Sequence, residues 1–278
     1  MTVTISASDV NKLRQITGAG MMDCKKALTE TNGDFEAAID WLRKRGQKVS
    51  EKRADREVNE GVVIARVNDD KSYGIILSVG CETDFVAKNE DYGIFANAIA
   101  DIAMKNKPAD KEALLNLQMA ENTVAEKIAE QVGKIGEKIE IADYALLTGE
   151  TVIAYNHSNG KVGVLVALNK KGETAEATGK DITMQIAAMN PIAIDKSDVP
   201  EEVKQREMEI GKEQARAEGK PEAILEKIAM GKLEAYYKDS TLLNQKFVKD
   251  NSKTIKEVLT GTDKDLTVTA FKRVALGA

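Results

Sequence analysis

Apolar positions recur at helical spacing through the first 46 residues, and alternation takes over after residue 60. Ser6-Ala7-Ser8-Asp9 has the form of a capping box, in which a hydroxyl and a carboxylate satisfy the free N–H groups of a helix start. Val10, Leu13 and Ile16 then mark one apolar face, and Thr17-Gly18-Ala19-Gly20 breaks the helix. Met22 to Leu28 predicts a second short helix ending near Asn32-Gly33. Asp34 caps a third, with Phe35, Ala38, Ile39 and Leu42 at helical spacing and Gly46 as its stop. Residues 47–60 are densely charged with mixed sign, which predicts a linker, partly helical at best.

Three short helices over residues 1–46 resemble a ubiquitin-associated-type bundle. Its core is too small to house an enzyme site, but it can present a docking face. The rest of the chain repeats itself. Val63, Ile64, Ala65, Gly74, Ile75, Ile76, Leu77 and Val79 align without a gap to Val152, Ile153, Ala154, Gly163, Val164, Leu165, Val166 and Leu168 (152 − 63 = 89). Both segments read as β-hairpins, with turns near Asp69-Asp70-Lys71 and Ser158-Asn159-Gly160.

A closing strand completes each half. Ile139, Ile141, Tyr144 and Leu147 match Leu266, Val268, Phe271 and Val274 (266 − 139 = 127). Helical stretches such as 94–104 and 182–189 lie between hairpin and closing strand. The expected fold is therefore α+β: a duplicated core of two small antiparallel sheets covered by helices, one half over 61–149 and the other over 150–278. The second half carries extra sequence, read as an antiparallel helical hairpin inserted at 200–237. Its sparse apolar positions Val203, Ile210, Ile224, Ile228 and Leu233 leave much of its surface exposed.

Composition then removes whole classes of function. Of 278 residues, 42% are hydrophobic and 31% charged, and the net charge is −5. A dedicated nucleic-acid binder carries a basic excess, so no nucleic-acid partner is expected. Cys24 and Cys81 form no CxxC motif, which points to a reducing, cytoplasmic setting without a disulfide framework. The start of the chain lacks a signal-peptide pattern, and no run approaches a membrane span. His157 is the only histidine, so neither a multi-His metal site nor a histidine relay with a spare histidine is expected. Gly160-Lys161 and Gly179-Lys180 lack the upstream glycine and following Ser/Thr of a P-loop, and neither GxSxG nor HExxH occurs. No cofactor, no metal and no direct nucleotide binding are expected. Trp41 and Cys81 are read as packing residues.

Two segments point further. The run Thr17-Gly18-Ala19-Gly20-Met21-Met22-Asp23-Cys24-Lys25-Lys26-Ala27-Leu28 resembles the first signature of the elongation factor Ts family. Cys81-Glu82-Thr83-Asp84-Phe85-Val86-Ala87-Lys88-Asn89 resembles its second. The order of helical module, duplicated core and inserted helical hairpin is similar too, so the resemblance covers essentially the whole chain. Many members continue beyond the last core strand into a further C-terminal helical module, whereas this sequence ends at Leu276-Gly277-Ala278.

The resemblance implies a non-catalytic guanine nucleotide exchange factor whose partner is the GTPase elongation factor Tu. Thr83, Asp84, Phe85 and Val86 would form the loop that dislodges Mg²⁺ in that partner, with Phe85 entering an apolar pocket and Asp84 disturbing groups near the ion. Arg14, Met21 and Met22 would dock on the partner's nucleotide-binding domain, and His157 and Val248 would make further contacts. A homodimer is also considered. From the residues alone, Thr83-Asp84-Phe85 reads first as a helix cap followed by a core aromatic, while Met22 and Val248, and less so Met21 beside its glycine turn, also read as packing. The second half has Asn169-Lys170-Lys171-Gly172-Glu173 where the first has its Asp-Phe turn, so that turn is not required to close the fold. Two other classes are the alternatives: an adaptor for ubiquitin-like partners built on the helical module, which leaves the Asp84-Phe85 loop unexplained, and an RNA-binding translation protein, which the acidic balance disfavours.

Overall fold

The computed structural model describes residues 4–277; residues 1–3 and 278, and the expectations touching them, lie outside the described residues. Helix α1 (Ala7–Thr17) starts as its sequence requires: the Ser6 side chain accepts from the Asp9 N–H, and Asp9 accepts in return from Ser6. Val10 and Leu13 are buried, but Ile16 is 58% exposed, contrary to the face read from the sequence. Two successive steps of three residues turn the face by about 120°, so the inward position of the last turn falls to Thr17. The Thr17 hydroxyl donates to the Leu13 carbonyl. Helix α2 (Met21–Glu30) buries Cys24, Ala27 and Leu28 against them.

Helix α3 (Phe35–Lys52) is capped by Asp34, whose carboxylate accepts from the Ala37 N–H at 3.0 Å. It does not stop at Gly46. A mid-helix glycine costs about 1 kcal/mol against alanine, which is why it read as a terminator. Here it is buried because another helix backbone passes against it, so residues 47–52, read as linker, remain helical.

The duplication survives in three dimensions down to individual pairings. Strands β1 (Glu60–Val67) and β2 (Tyr73–Cys81) are followed in sequence by α4 (Asp84–Ala87), α5 (Glu90–Asn106), α6 (Lys111–Leu115), the two-residue strands β3 (Gln118–Met119) and β4 (Asn122–Thr123), α7 (Val124–Ile135) and strand β5 (Ile139–Thr148). The second half runs β6 (Thr151–Asn156), β7 (Val162–Leu168), α8 (Glu173–Met189), α9 (Glu201–Ala217), α10 (Glu222–Ser240), β8 (Lys246–Phe247), β9 (Asp250–Thr254), α11 (Ile255–Thr262) and β10 (Val268–Ala275). The sheets order as β1-β2-β5 and β6-β7-β10, both antiparallel. Val63 pairs with Ser78, as Val152 does with Ala167, and Leu77 pairs with Tyr144, as Val166 does with Phe271. Even the bulge recurs, between Ser78 and Val79 in one half and between Val268 and Ala270 in the other.

Strands β2 and β7 are buried on both faces, and their period of two divides them between two cores. Ile75, Leu77 and Val79 pack with Tyr92, Phe95 and Ile99 under the helices of the first half. Val164, Val166 and Leu168 do the same with Ile182, Ile186 and Leu259 in the second. Between them, Ile76 and Leu165 meet in a third core where the sheets face each other. The halves are joined by a reciprocal pair of bonds: the Val63 N–H donates to the Gly160 carbonyl at 2.8 Å, and the Val152 N–H donates to the Lys71 carbonyl at 2.7 Å. Gly74 and Gly163 occupy equivalent positions. A Cβ on Gly163 would lie 2.7 Å from Val63 Cγ1, and one on Gly74 would lie 3.1 Å from Leu165 Cδ2. The sheets approach this closely because both residues lack side chains.

Helices α9 and α10 form the expected antiparallel hairpin. Its buried positions include Gly211, Ala215, Leu225 and Ala229, with Gly211 against Ala229, rather than the branched residues singled out in the sequence. Ile224 is exposed, and Val203, Ile210, Ile228 and Leu233 are half-buried. Helix α7, absent from the sequence reading, carries a capping box of Thr123 and Glu126. Thr123→Ala removes an N-cap worth about 1 kcal/mol. It is expected to lower the thermal midpoint by a few degrees while leaving β-sheet circular dichroism intact; an unchanged midpoint would show the cap to be energetically idle. No described helix is long and apolar enough to cross a membrane.

Candidate partner-binding site

The turn after β2 is built from side chains that face away from one another. Cys81 closes the strand inside the core, where burial pushes its thiol up to about 11, and its Sγ donates to the Thr83 carbonyl at 3.2 Å. A thiol in that state is a packing group rather than a nucleophile. Tyr92, buried beside it on α5, donates its hydroxyl to the Val79 carbonyl at 2.9 Å and pins α5 to β2.

Glu82 turns the other way. Its Oε1 accepts from the Lys138 backbone N–H at 2.6 Å and from the Arg53 guanidinium at 2.6 Å. The Lys138 N–H above all, aided by Arg53, holds this carboxyl below the usual carboxylate range against the opposing effect of burial. Arg53 is the C-cap residue of α3. Lys138 also donates its ammonium to the carbonyls of Ala54 and Arg56 at 2.8 and 2.9 Å. Both donors of Thr83 go to Glu137: its N–H donates to Oε2 at 3.0 Å and its hydroxyl to Oε1 at 2.7 Å.

Thr83 occupies the N-cap position of α4, yet its side chain makes no capping bond, because the hydroxyl is engaged by Glu137. Phe85, on the single turn of α4, is 85% exposed, the highest value among the large exposed hydrophobic side chains of the described residues. The reading of this segment as a cap followed by a core aromatic is therefore not what the fold adopts. Val86 instead packs against the first-half core and anchors the turn. Asp84 points outward and pairs with Lys88 at 2.6 Å, whose ammonium keeps the carboxyl below its ordinary range.

The remaining candidates lie on other elements. Arg14 is exposed at the end of α1, and Met21 and Met22 are 52% and 74% exposed at the start of α2. Ile16, read from the sequence as an inward position, is a further exposed apolar residue of the same module. Val248, in the turn between β8 and β9, is 43% exposed, with its N–H donated to buried Gln185. The packing alternatives for these methionines and for Val248 are thus not realised. His157 is exposed at the tip of the β6–β7 hairpin, its Nδ1 sharing a hydrogen bond of 2.8 Å with the Tyr155 hydroxyl. The structure gathers residues 83–86 into one turn and Arg14, Met21 and Met22 onto one module. Among the described residues, no side-chain hydrogen bond or ion pair joins these groups to His157 or Val248.

A cavity of about 300 Å³ opens between the helical module and α7. Ile16, Ala19, Ile39 and Leu42 give it apolar walls, and its rim charges include the Arg43–Glu130 ion pair at 3.3 Å. It presents no nucleophile–base pair. Among the described residues, no cluster of three or more His, Cys, Asp or Glu could hold a metal ion. The arrangement can present an aromatic side chain and an apolar module face to another macromolecule.

Comparison with known proteins is consistent across the chain. The family model described as "Elongation factor TS" matches residues 82–278. The elongation factor Ts of Cytophaga hutchinsonii is 56% identical over 275 residues, covering 98% of this chain and 99% of that protein. That of Amoebophilus asiaticus is 51% identical over 277 residues, covering 99% and 100%. That of Christiangramia forsetii is 49% identical over 273 residues, covering 98% and 99%.

Proposed function

The chain belongs to the elongation factor Ts family, and from that membership we propose that it binds elongation factor Tu·GDP and accelerates the release of GDP for replacement by GTP. The observation that carries the mechanism is Phe85, an aromatic side chain held almost wholly in solvent on a turn whose preceding residues are bonded from both sides. A phenyl ring gives large apolar burial with few torsions to freeze, which suits it to enter a pocket on a partner.

A P-loop GTPase holds GDP through its phosphate loop and through Mg²⁺, which demands near-ideal octahedral coordination by oxygen. Insertion of Phe85 shifts the groups around that ion, and Asp84 competes for polar partners near it. The nucleotide then loosens without being touched by the factor. Thr83 and Val86 hold the turn from behind. Arg14, Met21 and Met22 dock on the nucleotide-binding domain, where flexible methionines adapt to the contact. His157 and Val248 reach other parts of the GTPase. Factor and GDP lower each other's affinity by the same ratio, so the factor acts catalytically on exchange without making or breaking a bond. The protein works in the cytoplasm, as a monomer or a homodimer, with neither a cofactor nor a nucleotide of its own.

The test is GDP release from purified elongation factor Tu loaded with fluorescent GDP. Adding this chain together with excess unlabelled nucleotide is expected to raise the release rate saturably by orders of magnitude. A rate equal to the spontaneous one at saturating concentration sinks the proposal.

A further inference from the structure

Building on that functional reading, we propose that Glu137 is a positioning residue for the Phe85 turn, acting with Glu82 as a two-carboxylate clamp that stiffens the turn and ties it to the helical module. The two side chains work in opposite senses across the same gap. Glu137 reaches from the segment after α7 to take both the N–H and the hydroxyl of Thr83. Glu82 reaches back from the turn to take the N–H of Lys138, the residue next to Glu137. Four hydrogen bonds therefore converge on two adjacent residues at the start of the turn. Three join it to residues 137–138, and the fourth, from Arg53 to Glu82, joins it to the end of α3.

The clamp solves a problem posed by exposure. An aromatic side chain 85% in solvent has no packing of its own to hold its backbone, and α4 is a single turn, too short to be stable alone. Val86 fixes one side of that turn, and the carboxylates fix the other. Preorganisation of this kind lowers the ordering entropy lost on insertion, which favours the inserted state over the merely docked one. Thr83 further links the clamp to the wedge through hydrogen bonds to a charged acceptor, stronger than neutral ones.

The second half lends support. Its hairpin continues into Asn169 and Lys170, which pair with residues 263–267 and present no aromatic. Both halves tie this segment to the residues before the closing strand, but only the first half does so with a carboxylate pair beneath an aromatic-bearing turn.

The test uses the full chain with Glu137→Ala and Glu137→Gln. Phe85 is an exposed chymotrypsin site, so the rate of cutting after Phe85, with amide exchange over residues 83–88, reads the clamp without any GTPase. Loss of both Thr83 bonds is expected to speed cutting by about tenfold or more. The maximal rate of stimulated GDP release should fall by a similar factor, with little change in the concentration giving half the maximum. Glutamine keeps an acceptor for the N–H and a donor for the Thr83 hydroxyl, which can itself accept, so Glu137→Gln should retain most of both. A lowered melting temperature with an unchanged maximal rate would reduce Glu137 to a structural residue and overturn the inference. Unaltered protection of residues 83–88 in Glu137→Ala would overturn it too. Should Glu137→Ala fail to fold, Thr83→Val removes the hydroxyl bond from the other side at nearly constant shape. Failure of the unaltered chain to accelerate release would defeat the functional reading instead, and the cutting rate would still decide whether the clamp exists.

Discussion

Phe85→Ala is expected to reduce the acceleration of GDP release by about 100-fold, equivalent to about 2.7 kcal/mol at 25 °C, while leaving the melting temperature within about a degree of the original. The two halves of this expectation share one cause. A side chain 85% in solvent contributes almost nothing to the chain's own core, so truncating it opens no cavity. The same ring, once placed in a pocket of the GTPase, moves its apolar surface out of water, and aromatic anchors of that sort dominate interfaces. Stopped-flow release of fluorescent GDP across a range of factor concentrations checks the first half, and thermal denaturation the second. A fall in maximal rate with nearly constant half-saturation places the loss in the inserted state. An unaltered maximal rate would remove Phe85 from the mechanism, and a large drop in melting temperature would contradict its exposure.

Gly46→Val is expected to destabilise the protein by about 3 kcal/mol, although any non-proline residue usually stabilises an exposed helix interior relative to glycine by up to about 1 kcal/mol. Packing reverses the sign. A Cβ on Gly46 would stand 2.7 Å from the Ala129 carbonyl oxygen, and a Cβ on Gly133 would stand 2.7 Å from the Gly46 Cα. Both obstacles are backbone, which cannot rotate aside as a flexible side chain can. Helices α3 and α7 must therefore separate, and α1 and α2 move with α3. Trp41, the only tryptophan, lies on α3, and its fluorescence during urea unfolding reports the change directly. The exposed face of Arg14, Met21 and Met22 would shift relative to Phe85, so the half-saturating concentration for GDP release should also rise. A midpoint equal to or above that of the original chain would mean that the two helices can part without loss.

These expectations show where the sequence was legible. Ser6 and Asp34 announce helix starts because a cap acts on backbone groups two or three residues away. The duplication was readable to the level of register. Spacings of 89 and 127 taken from matching apolar positions (152 − 63 and 266 − 139) recur as matched strand pairs and a matched bulge. Apolar alternation with a period of two fixes which side chains share a face, and two copies of one pattern fold alike. The Thr123–Glu126 box at α7 was equally local and could have been read. The two family signatures were legible as well, since they are contiguous runs of residues.

Tertiary contact settled the rest. Gly46 carries the same local signal whether a helix ends there or another helix passes against it, and only the approach of α7 distinguishes the two. Thr83-Asp84-Phe85 is compatible with a buried ring or an exposed one. The fold leaves the ring exposed, and Glu137, far along the chain, takes the Thr83 hydroxyl that a helix cap would have used. Capping, periodicity and repetition act along the backbone and are written in neighbouring residues. Exposure, close helix approach and ion pairing depend on distances through space between segments remote in sequence, and those distances exist only once the chain has folded.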